Sequence, residues 1–182
     1  MIRNLIFISL VVGLSIMYYY NITIKSRNKK RDAWSSINVQ LKRRYDLIPN
    51  LVQTVKGYAS HESKVFEHIA DARARAIGAD NIEDQQAAEN MLTQSLKSLF
   101  AVAEAYPELK ASHNFQNLQQ QLSKVEEDIQ MARRYYNACA REYNNRVETF
   151  PGLIVAGMFN FSPVSYFEID IEESQTPKVD FS

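Results

Sequence analysis

Residues 115–143 read FQNLQQQLSKVEEDIQMARRYYNACAREY. Within them Phe115, Leu118, Leu122, Val125, Ile129, Ala132, Tyr136, Cys139 and Tyr143 recur by alternating steps of three and four. That spacing holds nine side chains on one side of an α-helix through four heptads. It predicts a helix starting near Ala111, about 50–60 Å long at 1.5 Å per residue. An apolar seam of that length has to be covered by other helices. Matching stripes elsewhere in the chain, joined by short links, make an intrachain antiparallel bundle the expected cover. A coiled-coil homo-oligomer is the alternative.

Upstream, Ala88, Leu92, Ser95, Leu99, Val102 and Tyr106 form a second such stripe, and Pro107 closes it. The link before it, GADNIE at 78–83, carries the helix-starting residues Asp80 and Asn81, and Gly78 can end the helix that precedes. That earlier helix runs through Leu51, Val52, Val55, Tyr58, Val65, Phe66 and Ile69 to about Ala76. Before it, Trp34, Ile37, Leu41 and Tyr45 again step by three and four. Pro49 falls between the two. A proline inside a helix removes a hydrogen bond and restrains the residue before it, so a kink near Ile48 is expected. Glycine and proline are scarce, at five each, which disfavours turn-rich β folds and glycine-rich phosphate loops.

Further upstream the pattern changes from amphipathic to wholly apolar. Residues 5–24, LIFISLVVGLSIMYYYNITI, contain no charge, and twenty residues of helix measure about 30 Å, the thickness of a bilayer's hydrocarbon layer. Tyr18, Tyr19 and Tyr20 sit where an interfacial aromatic belt lies. A cleaved signal peptide would show a small-x-small site, and the tyrosines and Asn21 occupy that place. Arg3 precedes the segment, whereas Lys25, Arg27, Lys29, Lys30 and Arg31 follow it. This asymmetry predicts a short extracytoplasmic segment at 1–4, a transmembrane helix at 5–24 and a cytoplasmic bundle at 25–149. The basic run reads as a stop-transfer flank that also suits anionic lipid.

Downstream of the long helix, Phe150-Pro151-Gly152 breaks the pattern, and LIVAGMFNF at 153–161 is too short to cross a bilayer. Docking on the bundle is the expected role, with interfacial membrane contact as the rival. Phe167, Ile169 and Ile171 then alternate with acidic residues, the period of an extended chain. Residues 150–182 thus read as an apolar, then acidic, tail docking on the bundle.

Little in the sequence points to chemistry. Lys and Arg balance Asp and Glu at 21 each, so no global field favours nucleic acid, and no nucleic-acid partner is expected. Cys139 is the single cysteine and falls on an apolar seam, where it reads as a small buried hydrophobe. His61 and His68 are seven apart, which places them on one helix face; without a Glu-x-x-His motif they read as solvated side chains, and His113 as a local hydrogen-bonding residue. Lys42-Arg43-Arg44 and Arg133-Arg134 read as solvated helix faces. No catalytic, cofactor-binding or metal-ligating residue is assigned, and no cofactor. One pattern stands out. Tyr136-Asn137 returns one heptad later as Tyr143-Asn144. The phenols suit a core edge, and the amides suit bonding a neighbouring helix to set register. A binding groove is the alternative.

The run Lys42-Arg43-Arg44-Tyr45-Asp46-Leu47-Ile48-Pro49-Asn50-Leu51-Val52, with Val55-Lys56-Gly57-Tyr58 and His61-Glu62, resembles the signature of the LemA family. Tyr106-Pro107-Glu108-Leu109, Leu118-Gln119, Ala132-Arg133, the two Tyr-Asn pairs and Phe150-Pro151 extend the resemblance through most of the chain after the apolar segment. The resemblance implies a single-pass bacterial inner-membrane protein, with a cytoplasmic antiparallel bundle and no established catalytic residues. The family's association with envelope maintenance transfers no mechanism, and the expected function is a non-enzymatic scaffold or adaptor that presents the bundle to a protein partner in that setting. A lipid-remodelling protein and a metal-binding helical enzyme are the alternatives.

Overall fold

The computed structural model describes residues 1–167. Six helices follow one another: α1 (Ile2–Lys56), α2 (Ser63–Ile77), α3 (Ile82–Glu104), α4 (Pro107–Ala111), α5 (His113–Glu148) and α6 (Gly152–Phe159). No strand occurs among the described residues. The fold is all-α: an apolar N-terminal helical segment runs into a bundle of long helices, and an extended segment closes the described chain.

α1 is a single rod of 55 residues, about 80 Å long. Its first third touches little else, and the apolar window within it has no buried residue, so it is not a core helix. By length and composition it can cross a membrane. From Ala33 onward the same helix turns a stripe of Ala33, Ile37, Leu41, Ile48, Leu51 and Val55 into the core.

The helix continues through Pro49, where the spacing led us to expect a kink. Proline has no N–H, so the carbonyl of Tyr45, four residues earlier, loses its helical donor. Arg73 of α2 supplies one instead, its Nε donating to that carbonyl at 2.9 Å. The break comes later, at residues 57–62, where α1 gives way to α2; the stripe from Leu51 to Ala76 therefore belongs to two antiparallel helices rather than one.

Polar contacts fix the directions of packing. Along α1, Lys29, Arg43 and Thr54 meet Glu142, Asp128 and Asn114 of α5, so one numbering rises as the other falls and the pair is antiparallel. α2 returns alongside α1, bringing Arg73 and Ala76 to Tyr45. Asn81 caps α3, its side chain accepting from the Asp84 N–H at 2.8 Å. α3 then runs parallel to α1, with Glu89 and Thr93 at Arg44 and Phe100 against Phe115. The result is an up-down-up-down bundle of α1, α2, α3 and α5.

The seam of α5 is buried as the spacing predicts, apart from Ala132, which is partly buried. On α3 the core stripe is Ala88, Leu92, Leu96, Leu99 and Ala103; Ser95 and Val102, assigned to it by spacing, stand at its edge. Each fully buried Ile or Leu along these stripes contributes about 1.5–3 kcal/mol. Pro107 opens the short α4 instead of merely closing α3.

After α5 the chain turns at Phe150-Pro151 into α6, a helix where sequence suggested only an apolar stretch. Gly152 is required at this corner, since a Cβ there would stand 2.0 Å from the Arg146 carbonyl oxygen. Asn160 ends α6 in the left-handed region, φ 54°, a conformation asparagine tolerates. Residues 161–167 are extended. Phe161, Val164 and Phe167 turn inward with a three-residue repeat. The two-residue alternation expected from Phe167 onward falls beyond it. Ile169 and Ile171 lie outside the described residues.

Candidate functional site

The extended segment 161–167 lies on a rack built by the two Tyr-Asn pairs. The Asn144 side-chain amide donates to the Val164 carbonyl and accepts from the Val164 N–H, both at 2.9 Å. Asn137 does the same to Phe167, again with both distances 2.9 Å. Each amide thus pairs with a whole peptide backbone as a neighbouring strand would. The repeats match: a heptad rises about 10.5 Å along α5, and three extended residues span about 9–10 Å. The Tyr136 hydroxyl donates to the Ser165 carbonyl at 3.3 Å. Burial, and then the charge of Glu83, pushes that phenol up to about 12, so it stays a donor. Glu83 in turn is held below the usual carboxylate range by a hydrogen bond with Ser165. The ladder read from sequence therefore holds an extended piece of its own chain, not a neighbouring helix.

Aromatic and basic groups clamp the same segment. Phe167 stacks on Trp34 with ring centroids 5.5 Å apart and meets Tyr136 edge-on. Arg133 lies over Phe167 and Arg27 over Phe161, at 5.3 and 5.4 Å from the ring centroids. Lys30 lies over the Tyr143 ring, and Lys29 pairs with Glu142 at 2.9 Å. The basic run after the apolar segment is thus partly occupied within the protein.

Below the rack, a buried polar network joins three helices. Arg44, 2% exposed, bonds Glu89 at 2.5 Å and Thr93 at 2.8 Å, and its Nε stands 2.8 Å from Glu126. Glu89, 1% exposed, also accepts from the Tyr45 hydroxyl and from the Gln85 amide at 3.2 Å. Burial, followed by the Glu89 charge and hydrogen bond, raises the Tyr45 phenol far above its ordinary value. Glu126 is raised mainly by burial, against the pull of Arg44. Reading Lys42-Arg43-Arg44 as a solvated face was wrong at Arg44. The missed signal is its position, three after Leu41 and four before Ile48, on the core stripe. Arg43 and Lys42 are surface residues, bridging to Asp128 and Asp46.

Every oxygen of Glu89 is engaged and enclosed, so it cannot reach a substrate proton. The network is a lock between α1, α3 and α5. One flank of it opens. Arg44 and Glu126 form the inner wall of a cleft of about 870 Å³ between α3 and α5. Leu96, Phe100 and Leu122 line its apolar part, and Lys97, Arg133 and Arg134 stand around it.

The histidines do not come together. His61 lies in the 57–62 link, not on a helix, while His68 and His113 are exposed on α2 and at the start of α5. Cys139 is buried. Among the described residues, no three His, Cys, Asp or Glu side chains cluster as metal ligands would.

The LemA family model matches residues 33–181. Among curated relatives, Magnetosome protein MamQ 2 of Paramagnetospirillum magneticum is 23% identical over 180 residues, covering 85% of this chain and 66% of its own. The chain thus spans slightly less than two thirds of that relative. Protein LemA of Metamycoplasma hominis is 24% identical over 184 residues, with 94% and 83% covered. Magnetosome protein MamQ of Magnetospirillum gryphiswaldense is 24% identical over 187 residues, with 88% and 69% covered. None of these names describes an enzymatic activity.

Proposed function

The chain belongs to the LemA family, and from that premise we propose that it is a membrane-tethered, non-enzymatic adaptor. Residues 5–24 of α1 anchor it as a single pass in a bacterial inner membrane, with residues 1–4 outside and the bundle cytoplasmic, because the basic residues from Lys25 to Arg31 favour the inner face. The α3/α5 cleft receives a segment of a protein partner in the service of envelope maintenance. The observation that carries this reading is the cleft itself: Leu96, Phe100 and Leu122 give it an apolar part, and among its charged lining Arg44, Lys97, Arg133 and Arg134 outnumber Glu126 and Glu127. Its chemistry suits an extended segment in which acidic residues alternate with apolar ones. The buried carboxylate of Glu89 supports the non-enzymatic reading, since it is saturated by Arg44, Tyr45 and Gln85.

A photo-crosslinking amino acid at Ser123, on the cleft wall, tests the proposal in native membranes. Capture of one recurrent membrane-protein partner is the expected result, lost on Arg134→Glu. Capture of copies of this chain alone would replace the adaptor with a homo-oligomer, and capture of nothing would sink both. Protease added outside intact cells should leave Trp34 onward untouched; cleavage there would overturn the topology.

A further inference from the structure

We infer that α6 is a second membrane contact, lying in the plane of the bilayer at its inner boundary with one face in the acyl region. Both ends of α6 meet the same stretch of α1. At its start, Phe150 and Gly152 share a hollow with Tyr19, Ile22 and Thr23. At its end, the Phe159 ring packs on Tyr20 with centroids 4.7 Å apart. A helix of eight residues is about 12 Å long. Had it run along α1, its ends would meet residues about eight apart. It therefore lies across α1.

The two faces of α6 differ in what covers them, not in polarity. Gly152, Val155 and Ala156 are buried, with Ala156 packed against Tyr143 and Val147. On the other side Phe150, Leu153, Ile154 and Met158 are 79%, 55%, 55% and 57% exposed. Residues 150–167 contain no charge at all. A contiguous apolar patch of this kind marks an interaction surface. Its level identifies the occupant. Tyr20 stands four residues inside the Ile24 end of the apolar segment, about 6 Å along the helix. Interfacial helices bury their apolar face about 5–10 Å into the headgroup and acyl boundary. Lys25 and Arg31 stand exposed just beyond, at headgroup level, where basic side chains favour anionic lipid. The patch thus continues the surface of the anchor and meets lipid.

This inference rests on residues 5–24 spanning the bilayer, and the test separates the two. Single cysteines are placed at Leu10, Ile154 and Gln116 in a Cys139→Ala background, and a bimane label is attached. The full chain is reconstituted in phosphatidylcholine/phosphatidylglycerol vesicles carrying nitroxide lipids, with the nitroxide either shallow or deep on the acyl chain. The expected result is loss of fluorescence at Leu10 and Ile154 but not at Gln116, with Ile154 quenched more by the shallow nitroxide. An unquenched Leu10 would overturn the spanning reading. A quenched Leu10 with an unquenched Ile154 would overturn the interfacial helix alone. A label at Met158 repeats the measurement should the Ile154 variant misfold.

Discussion

Replacing Arg44 by methionine should be among the most damaging single changes in the bundle. Methionine matches the aliphatic stem but removes the guanidinium that joins Glu89, Thr93 and Glu126. Glu89 stays 1% exposed with its charge uncompensated. Breaking a buried ion pair from one side costs about 3–5 kcal/mol. The Tyr45 hydroxyl and Gln85 amide still bond Glu89, so the lower end of that range applies. For a chain of this size about 3 kcal/mol corresponds to a melting shift of roughly 6–12 °C. Adding Glu89→Gln should recover part of the loss, because the remaining group is neutral and keeps hydrogen-bond partners. The assay is urea denaturation of the full chain in detergent, followed by circular dichroism, as a double-mutant cycle. A loss under about 1 kcal/mol, or strict additivity of the two changes, would refute the account of the network.

Three other outcomes are expected. Asn144→Ala removes both bonds to Val164 and should lower stability by about 1–3 kcal/mol, at 0.5–1.5 per bond; hydrogen exchange at the Val164 amide should accelerate, and unchanged protection would contradict the rack. Arg73→Met should cost about 1 kcal/mol by orphaning the Tyr45 carbonyl, and less when Pro49→Ala restores the helical donor; equal losses in both backgrounds would show that Arg73 does not replace the missing N–H. Glu126 is raised above the usual carboxylate range, so its charged form weakens the fold at neutral pH and that penalty is relieved as the pH falls. Wild type should therefore gain on Glu126→Gln in melting temperature from pH 7 to pH 5, and a gain by the variant would reverse the sign of the argument.

What could be read in advance depended on whether one helix carried its own evidence. The seam of α5 repeats at fixed spacing, and its burial followed. The effect of Pro49 could not be read, because the donor that preserves the helix comes from Arg73, 24 residues later and in another helix. The true break at 57–62 lacks a proline and interrupts a stripe whose apolar spacing continues on both sides. α6 was missed for a different reason: a short apolar run satisfies helix, strand and loop alike until something shows which face is covered. At the candidate site, Asn137 and Asn144 were visible as a ladder, but their partner was not, since side-chain amides pair equally well with helices and with extended backbone. Arg44 looked like a surface cation because its neighbours are; only its place on the stripe argued otherwise.

The absence of a joint in α1 has a mechanical consequence. A hinge after the apolar segment would let the bilayer and the bundle move independently. Instead, one uninterrupted rod passes from Ile2 to Lys56. The part beyond Ile24 is 32 residues, about 48 Å of lever. Spanning helices adjust their tilt to membrane thickness, and a change of about 10° swings the Lys56 end by about 8 Å at that length. With residues 5–24 spanning the bilayer as proposed, a slight thinning of the membrane would be converted into a displacement of the far end of the bundle.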